Sequence, residues 1–403
     1  MKAITILLLA VGPLTAGNAT AQLLRGLPQA GAALRPLGNV LGPVSDTIGR
    51  SVAALAQARL DRIAASIRAH PDRIARDPNG FAARRGEVIV TDPDDMLIAA
   101  AKARDLRLLD RGDTLGIAYA RFALPDGISL KAGIALLRRL GASDASADQL
   151  YTQSGTSRPS APPVSGHGVR IGMIDGGVAG TTATQRGFAT GAPRASEHGT
   201  AIASLIVGSS RIKGAAPGAQ LFAADIYGDD QAGGSASAIV QALGWLVGEH
   251  VPVVTISLVG PPNPLLARVV AAAQTRGTII VAAVGNDGPV SPPNYPASYA
   301  GVIAVTGIDG RKRLLIEAGH ATHLDYAAPG ADMVAASPKG NDIPVRGTSF
   351  AAPLVAATIA LAYPVADPSR RATAIASVDN AAERRDKRYG RGIVCGRCAT
   401  AAK

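Results

Sequence analysis

Four residues of this 403-residue chain stand where side-chain chemistry is usually done. Asp175 closes the apolar run Ile171-Gly172-Met173-Ile174, and Gly176 and Gly177 follow it. A carboxylate is thereby left at a strand end where the chain must turn sharply. His198 lies in Glu197-His198-Gly199-Thr200, just ahead of an apolar run at 201–208. An imidazole at a helix start, with a glycine beside it, can face a cleft. Asn286, in Val284-Gly285-Asn286-Asp287-Gly288, offers an amide donor just past another strand. Ser349, in Gly347-Thr348-Ser349-Phe350-Ala351-Ala352-Pro353, opens a helix whose positive end faces its hydroxyl. A hydroxyl, an imidazole and a carboxylate are the nucleophile, general base and orienting group of acyl transfer, and an amide can hold the oxyanion. Alone, each residue also has an ordinary explanation: a strand-end aspartate, a helix-start histidine, an Asn-Asp-Gly turn, a serine N-cap.

The elements around them decide whether they can meet. Apolar strands at 169–174, 220–225, 253–257, 278–284 and 302–306 alternate with helices at 198–207, 235–250, 264–276 and 349–363. This pattern predicts an α/β domain with a mainly parallel sheet covered on both faces. Active groups of such sheets gather at the carboxyl ends of strands, where Asp175 and Asn286 fall. Upstream, residues 87–151 show a strand-helix-strand-strand-helix-strand order, with strands at 88–90, 106–109, 115–124 and near 149–151. That is a small α+β domain. Residues 152–166 are rich in Ser, Pro and Gly and read as a linker. Residues 22–86 read as a helical leader of unknown role, with Leu55, Leu60, Ile63 and Ile67 at helical spacing.

The N-terminus reads as a signal peptide over 1–21: a basic Met1-Lys2 start, an apolar stretch at 3–11, and Ala19-Thr20-Ala21 before Gln22. The apolar stretch is too short to span a bilayer well. Export to the periplasm or medium is expected, with no stable membrane insertion after cleavage. The net charge of +11 is spread over both halves without a basic motif or aromatic platform, so no nucleic-acid partner is expected. Cys395 and Cys398 form a C-x-x-C in the basic tail 395–403. In an exported protein a local disulfide or free thiols suit them better than zinc. His320 and His323 read as loop histidines rather than metal ligands. No cofactor or metal site is assigned; calcium is left open without a site, since it needs at least about six oxygen ligands and no such set can be assembled from the sequence.

With their surroundings, the four residues resemble the subtilase family, the subtilisin-like serine proteases of peptidase family S8. Ile174-Asp175-Gly176-Gly177-Val178 is similar to the aspartate motif, His198-Gly199-Thr200 to the histidine motif, and Gly347-Thr348-Ser349 through Pro353 to the serine motif. The run Gly214-Ala215-Ala216-Pro217-Gly218-Ala219 also matches, as do Ser257-Leu258, residues 281–288, Tyr295-Pro296-Ala297, Ala328-Pro329-Gly330 and Arg388-Tyr389-Gly390. The resemblance implies a three-layer subtilisin-like domain over 167–394. It implies Ser349 as nucleophile, His198 as base, Asp175 as its orienting group, and Asn286 as oxyanion donor beside the Ser349 N–H. It implies an extended peptide substrate held by Ser257, Leu258, Val259 and Gly260, with Ala283 and Gly285 lining the site. Residues 87–151 would then be a ferredoxin-like propeptide that chaperones and inhibits the enzyme, its tail at 151–154 in the cleft, with self-cleavage between 151 and 166.

Three departures stand out. Gly176 replaces the usual hydroxyl residue, Ala201 replaces a frequent second histidine, and Val259 replaces a small glycine. Val259 is expected to narrow the first specificity pocket or to reshape a neighbouring one, favouring smaller side chains before the cut. The reading is a secreted, self-processed serine endopeptidase acting on polypeptides. The alternative is a catalytically impaired subtilisin-fold protein that binds peptides, supported by Gly176 and Val259. An esterase using the same residues is a further rival.

Overall fold

Period-two alternation builds the first of two sheet domains. The computed structural model describes residues 42–153, 155–157, 168–209, 212–396, 398 and 400–402; the signal-peptide pattern and most of the linker lie outside them. Residues 51–403 form one compact unit. Helix α1 (Gly42–Ala69) precedes β1 (Ile74–Arg76) and β2 (Ala82–Thr91). In β2, Val88 and Val90 face one side and pack with Ala120 and Phe122, while Ile89 faces the other side and joins the core of the larger domain. Helix α2 (Asp95–Lys102) is capped by Asp94, and α3 (Leu130–Arg139) by Ser129, each accepting from a first-turn N–H. Their residues Leu97, Ile98, Ile134 and Leu137 close the Val88 side. Strands β3 (Arg107–Thr114), β4 (Ile117–Ala123) and β5 (Asp144–Gln149) complete the sheet. All its pairings are antiparallel: β1 and β5 on β2, β2 on β4, β4 on β3.

This corrects the expected helical leader to residue 86. The helix ends at Ala69, and β1 and the first half of β2 already belong to the sheet. The sequence hides them because β1 is three residues long and the register shifts between Ala83 and Val88. Gly86 lies in that interval at φ +66, and such a bulge breaks the alternation by which strands are read. The fourth strand is 144–149, not 149–151; its Asp-Ala-Ser-Ala-Asp-Gln sequence carries little strand propensity. The expected linker holds two short strands, β6 (Thr152–Gln153) and β7 (Thr156–Ser157).

The larger domain follows from strands that are apolar on both faces. Strands β8 (Arg170–Asp175), β9 (Ala183–Gly187), β10 (Gln220–Asp225), β11 (Val253–Ile256), β13 (Ile279–Ala283), β14 (Ile303–Ile308) and β15 (Tyr326–Pro329) form a parallel seven-stranded sheet, ordered β15-β14-β13-β11-β8-β10-β9. Ile171, Met173, Val253 and Val281 point to one core, and Ile174, Val254, Ile256 and Ile280 to the other. The first core takes helices α4 (Glu197–Val207), α7 (Thr348–Ala362) and α8 (Arg371–Ala381); the second takes α5 (Ala236–Gly248) and α6 (Pro264–Thr275). Helix α7 is apolar all round, as a central buried helix must be.

Strand β8 lies between β10 and β11, so the strand order reverses there. The chain leaves β8 toward β10 with α4 on one face, then crosses to β11 with α5 on the other. Such a switch point opens a crevice at the carboxyl ends of the strands, and Asp175 stands in it. Strand β12 (Leu258–Val259) follows β11, and β16 (Met333–Ala336) pairs with β17 (Asp342–Arg346). Cys395 and Cys398 are disulfide-bonded, with Cα atoms 5.1 Å apart. Among the described residues no helix is long and apolar enough to cross a membrane.

Candidate active site

Asp175 is fully buried at the end of β8. Its Oδ1 accepts from Gly176 N at 2.7 Å. Helix α4 starts beside it, with Ser196 capping Gly199 N at 2.9 Å. A side chain at Gly199 would run into the carbonyls of Gly176 and Gly177, so glycine there lets the helix start press against the strand end. That approach sets His198 Nδ1 at 2.9 Å from Asp175 Oδ2 and 3.0 Å from Oδ1. His198 Nε2 is buried and has no hydrogen-bond partner.

Ser349, also fully buried, is the second residue of α7. Pro353 lies one helical step further on and has no N–H to give the Ser349 carbonyl. Ser257 Oγ supplies that donor at 2.9 Å, and Ser349 Oγ donates back to Ser257 O at 2.9 Å. The hydroxyl of Ser349 thus bonds to the residue that follows β11. On the other side, Thr348 Oγ1 accepts from Gly285 N at 3.0 Å and donates to Gly285 O at 3.1 Å. Thr348 N donates to Asn286 Oδ1 at 3.0 Å. This orients the Asn286 amide and leaves its Nδ2 buried without a partner. Buried polar atoms without partners are costly and rare. Here the two nitrogens concerned are those suited to taking a proton and to holding an oxyanion.

The cleft holds the chain's own residues. Strand β6 pairs antiparallel with β12, Gln153 opposite Leu258 and Thr152 opposite Val259. Tyr151 precedes it, fully buried: its N donates to Gly234 O at 2.8 Å, its Oη to Pro261 O at 2.6 Å, and its carbonyl accepts from Tyr227 Oη at 2.9 Å. The ring lies on Gly260, where a side chain would overlap it. Burial pushes the Tyr151 phenol well above its ordinary pKa. Beyond the site, β7 pairs with β17, Ser157 opposite Val345 and Thr156 opposite Arg346. Gly155, between the two strands, packs on Phe350 with no room for a side chain. Ser154 lies outside the described residues.

Val259 stands opposite Thr152 on this path. Its Cγ1 lies 3.2 Å from where a Cβ on Gly285 would stand, and Asn294 Nδ2 lies 2.6 Å from the same point. Ala283 ends β13 beneath, fully buried. His323 Nε2 donates to Val302 O at 2.8 Å, and burial lowers the His320 pKa. No group of three or more His, Cys, Asp or Glu side chains able to hold a metal occurs among the described residues.

Sequence reasoning missed several residues here. Gln153 Nε2 donates to Asp175 Oδ1 at 3.0 Å, Asn294 Nδ2 donates to Val284 O at 2.7 Å beside Gly285, and Arg59 and Arg62 of α1 ion-pair with Asp287, next to Asn286. These contacts join residues far apart in the chain, and no local motif announces them.

Comparison with known proteins covers the same part of the chain. The model of the subtilase family matches residues 166–392. Subtilisin BL of Lederbergia lenta is 34% identical over 223 residues, covering 51% of this chain and 82% of that protein. Subtilisin E of Bacillus subtilis is 31% identical over 235 residues, covering 52% of this chain and 61% of its own. Fervidolysin from Fervidobacterium pennivorans, a keratinolytic enzyme related to subtilisin, aligns with a TM-score of 0.64 at 17% identity, over 78% of this chain and 61% of its own. The epidermin leader peptide processing serine protease from Staphylococcus aureus aligns at 0.60 with 15% identity, over 77% of this chain and 97% of its own. At these identities the structural likeness establishes the fold, which is subtilisin-like.

Proposed function

The chain belongs to the subtilase family of serine endopeptidases, and we propose that it is an exported precursor that cuts itself within the segment lying across its own cleft. In this reading Ser349 Oγ turns from Ser257 O toward His198 Nε2 and attacks a peptide carbonyl. His198 takes the proton at Nε2 and later returns it to the leaving amine. Asp175 fixes the imidazole through Nδ1 and stabilises its cationic form. Asn286 Nδ2 and the Ser349 N–H hold the oxyanion. Residues 1–21 direct export, and the Cys395–Cys398 disulfide suits an oxidising compartment.

One observation carries the self-processing reading. The chain pairs with the enzyme on both sides of the Ser349 position, through β6 on β12 and β7 on β17. Only Ser154 and Gly155 lie between the two strands. A peptide held as a strand in this way is the form in which an extended substrate binds. The cut therefore belongs at the Ser154–Gly155 bond, which narrows the interval expected from sequence. Gly155, packed on Phe350, would begin the mature enzyme.

The test compares the precursor with its Ser349→Ala variant by mass over time. The expected result is a mature chain starting at Gly155 from the wild type and an intact variant. If neither chain is cut and neither reacts with a serine-directed phosphonate, the chain is instead a peptide-binding member of its family.

A further inference from the structure

The Asp175 carboxylate receives a hydrogen bond from outside the catalytic domain. Gln153 Nε2 donates to its Oδ1 at 3.0 Å. Gln153 belongs to β6, the strand laid on Leu258–Val259, so it is part of the segment to be cut. Glycine follows Asp175, and a side chain there would meet Ser196 before it met Gln153. A Cβ on Gly176 would overlap Ser196 Oγ and stand 3.5 Å from Gln153 Nε2. Ser196 itself offers Asp175 nothing: its oxygen accepts from Gly199 N and donates to Gly177 O. The enzyme's own backbone donor, Gly176 N, meets the same Oδ1 at 2.7 Å. Besides His198 Nδ1, a further side-chain donor comes from the peptide.

We infer that the substrate completes the hydrogen bonding of Asp175, and that the enzyme selects glutamine at the second residue before the cut. This rests on the self-processing reading, in which Ser154 supplies the attacked carbonyl and Gln153 precedes it. The required chemistry is an uncharged donor on a stem of two methylenes. Alanine lacks the donor, leucine fills the space without one, and asparagine is one methylene short. Glutamate brings a second negative charge against Asp175 and disfavours it. Gln153 acts through Asp175 and not on the reacting atoms, so it is a positioning and specificity residue.

The experiment measures self-cleavage of the full precursor, wild type beside Gln153→Ala, Gln153→Leu, Gln153→Glu and Ser349→Ala. A hydrogen bond to a charged group predicts that the alanine and leucine variants process about tenfold more slowly. Gln153→Glu is expected to be slower still at about pH 8 and to recover relative to wild type as pH falls, since a protonated carboxyl can donate to Asp175. A residue that merely packs would be rescued by leucine and would show no such pH trend. Wild-type rates in Gln153→Ala, or full rescue by Gln153→Leu, overturn the inference while Ser349→Ala stays uncut. Cleavage of Ser349→Ala would instead overturn the protease reading beneath it. Melting of each variant in the Ser349→Ala background checks that the uncut fold is retained.

Discussion

Ser257 and Ser349 exchange hydrogen bonds in both directions, each hydroxyl donating to the other's carbonyl at 2.9 Å. One of the two bonds exists because of a third residue. Pro353 cannot supply the helical N–H to the Ser349 carbonyl, so a side chain does. Ser257→Ala leaves that buried carbonyl without its donor, and the expected loss of stability is about 1–3 kcal/mol. Pro353→Ala restores an N–H at the right place. In the Ser257→Ala background it should therefore cost less than in the wild type, a coupling of at least about 0.5 kcal/mol in a double-mutant cycle read by urea unfolding. Strict additivity would show that the two residues act independently.

Asn286, the proposed oxyanion donor, is held by the same helix start. Asn286 Oδ1 accepts from Thr348 N, and this aims its Nδ2 into the site. Asn286→Ala should lower kcat by about 10²–10³ with little change in KM, the magnitude established for such a donor in subtilisin. Unfolding measured alongside separates this from the smaller cost of leaving Thr348 N without its acceptor. A loss confined to KM would assign Asn286 to substrate binding instead.

Much of this site is legible in the amino-acid sequence. The glycines around Asp175, His198 and Ser349 are local consequences of close backbone approach, so they leave a local signature. The five central strands are legible because both their faces are buried. Strands β6, β7 and β9 are not, because short or exposed strands owe their pairing to distant partners rather than to their own alternation. Gln153 illustrates the limit. It sits in a stretch without periodicity, and its meaning comes from an aspartate 22 residues away.

Tyr151 should make docking of the cleft segment sensitive to alkali. Burial raises its folded pKa well above the ordinary value, which is about 10. A group raised in the folded state contributes stability that is whole below the unfolded pKa and is lost as pH rises through the folded one. Docking should therefore hold at about pH 8 and weaken above about pH 10. Hydrogen exchange at residues 151–153 of the Ser349→Ala precursor reads this directly. Tyr151→Phe loses the bond to Pro261 O at every pH but cannot ionise, so its alkaline decline should be shallower.

Helix α1 is held to the loop after β13 through Asp287. Arg59 lies 3.4 Å from this carboxylate, Arg62 pairs with it as well, and Leu55 lies against Gly288. Asp287→Asn should loosen α1 by about 0–1 kcal/mol, and raised salt should reproduce part of the effect in the wild type. Limited proteolysis within 52–69 checks this. Equal protection in both chains would mean that apolar contacts such as Leu55 with Gly288 hold the helix by themselves.

In the proposed cleavage, Val259 limits the room for the residue before the cut. Its Cγ1 and the Asn294 amide both crowd Gly285, and the segment in the cleft carries a serine at that place in the sequence. Removing the branched side chain opens the pocket, and burying a few further methylenes of substrate is worth roughly 1–3 kcal/mol. Val259→Gly should therefore raise kcat/KM for leucine or phenylalanine before the cut by about tenfold or more relative to alanine. The variant also weakens β12, which holds Gln153 and Thr152. All substrates should then lose somewhat in KM, whatever residue precedes the cut. The ratio between large and small residues is free of that common loss. An unchanged ratio would place the restriction on Asn294, and Asn294→Ala would then be the variant that widens the pocket.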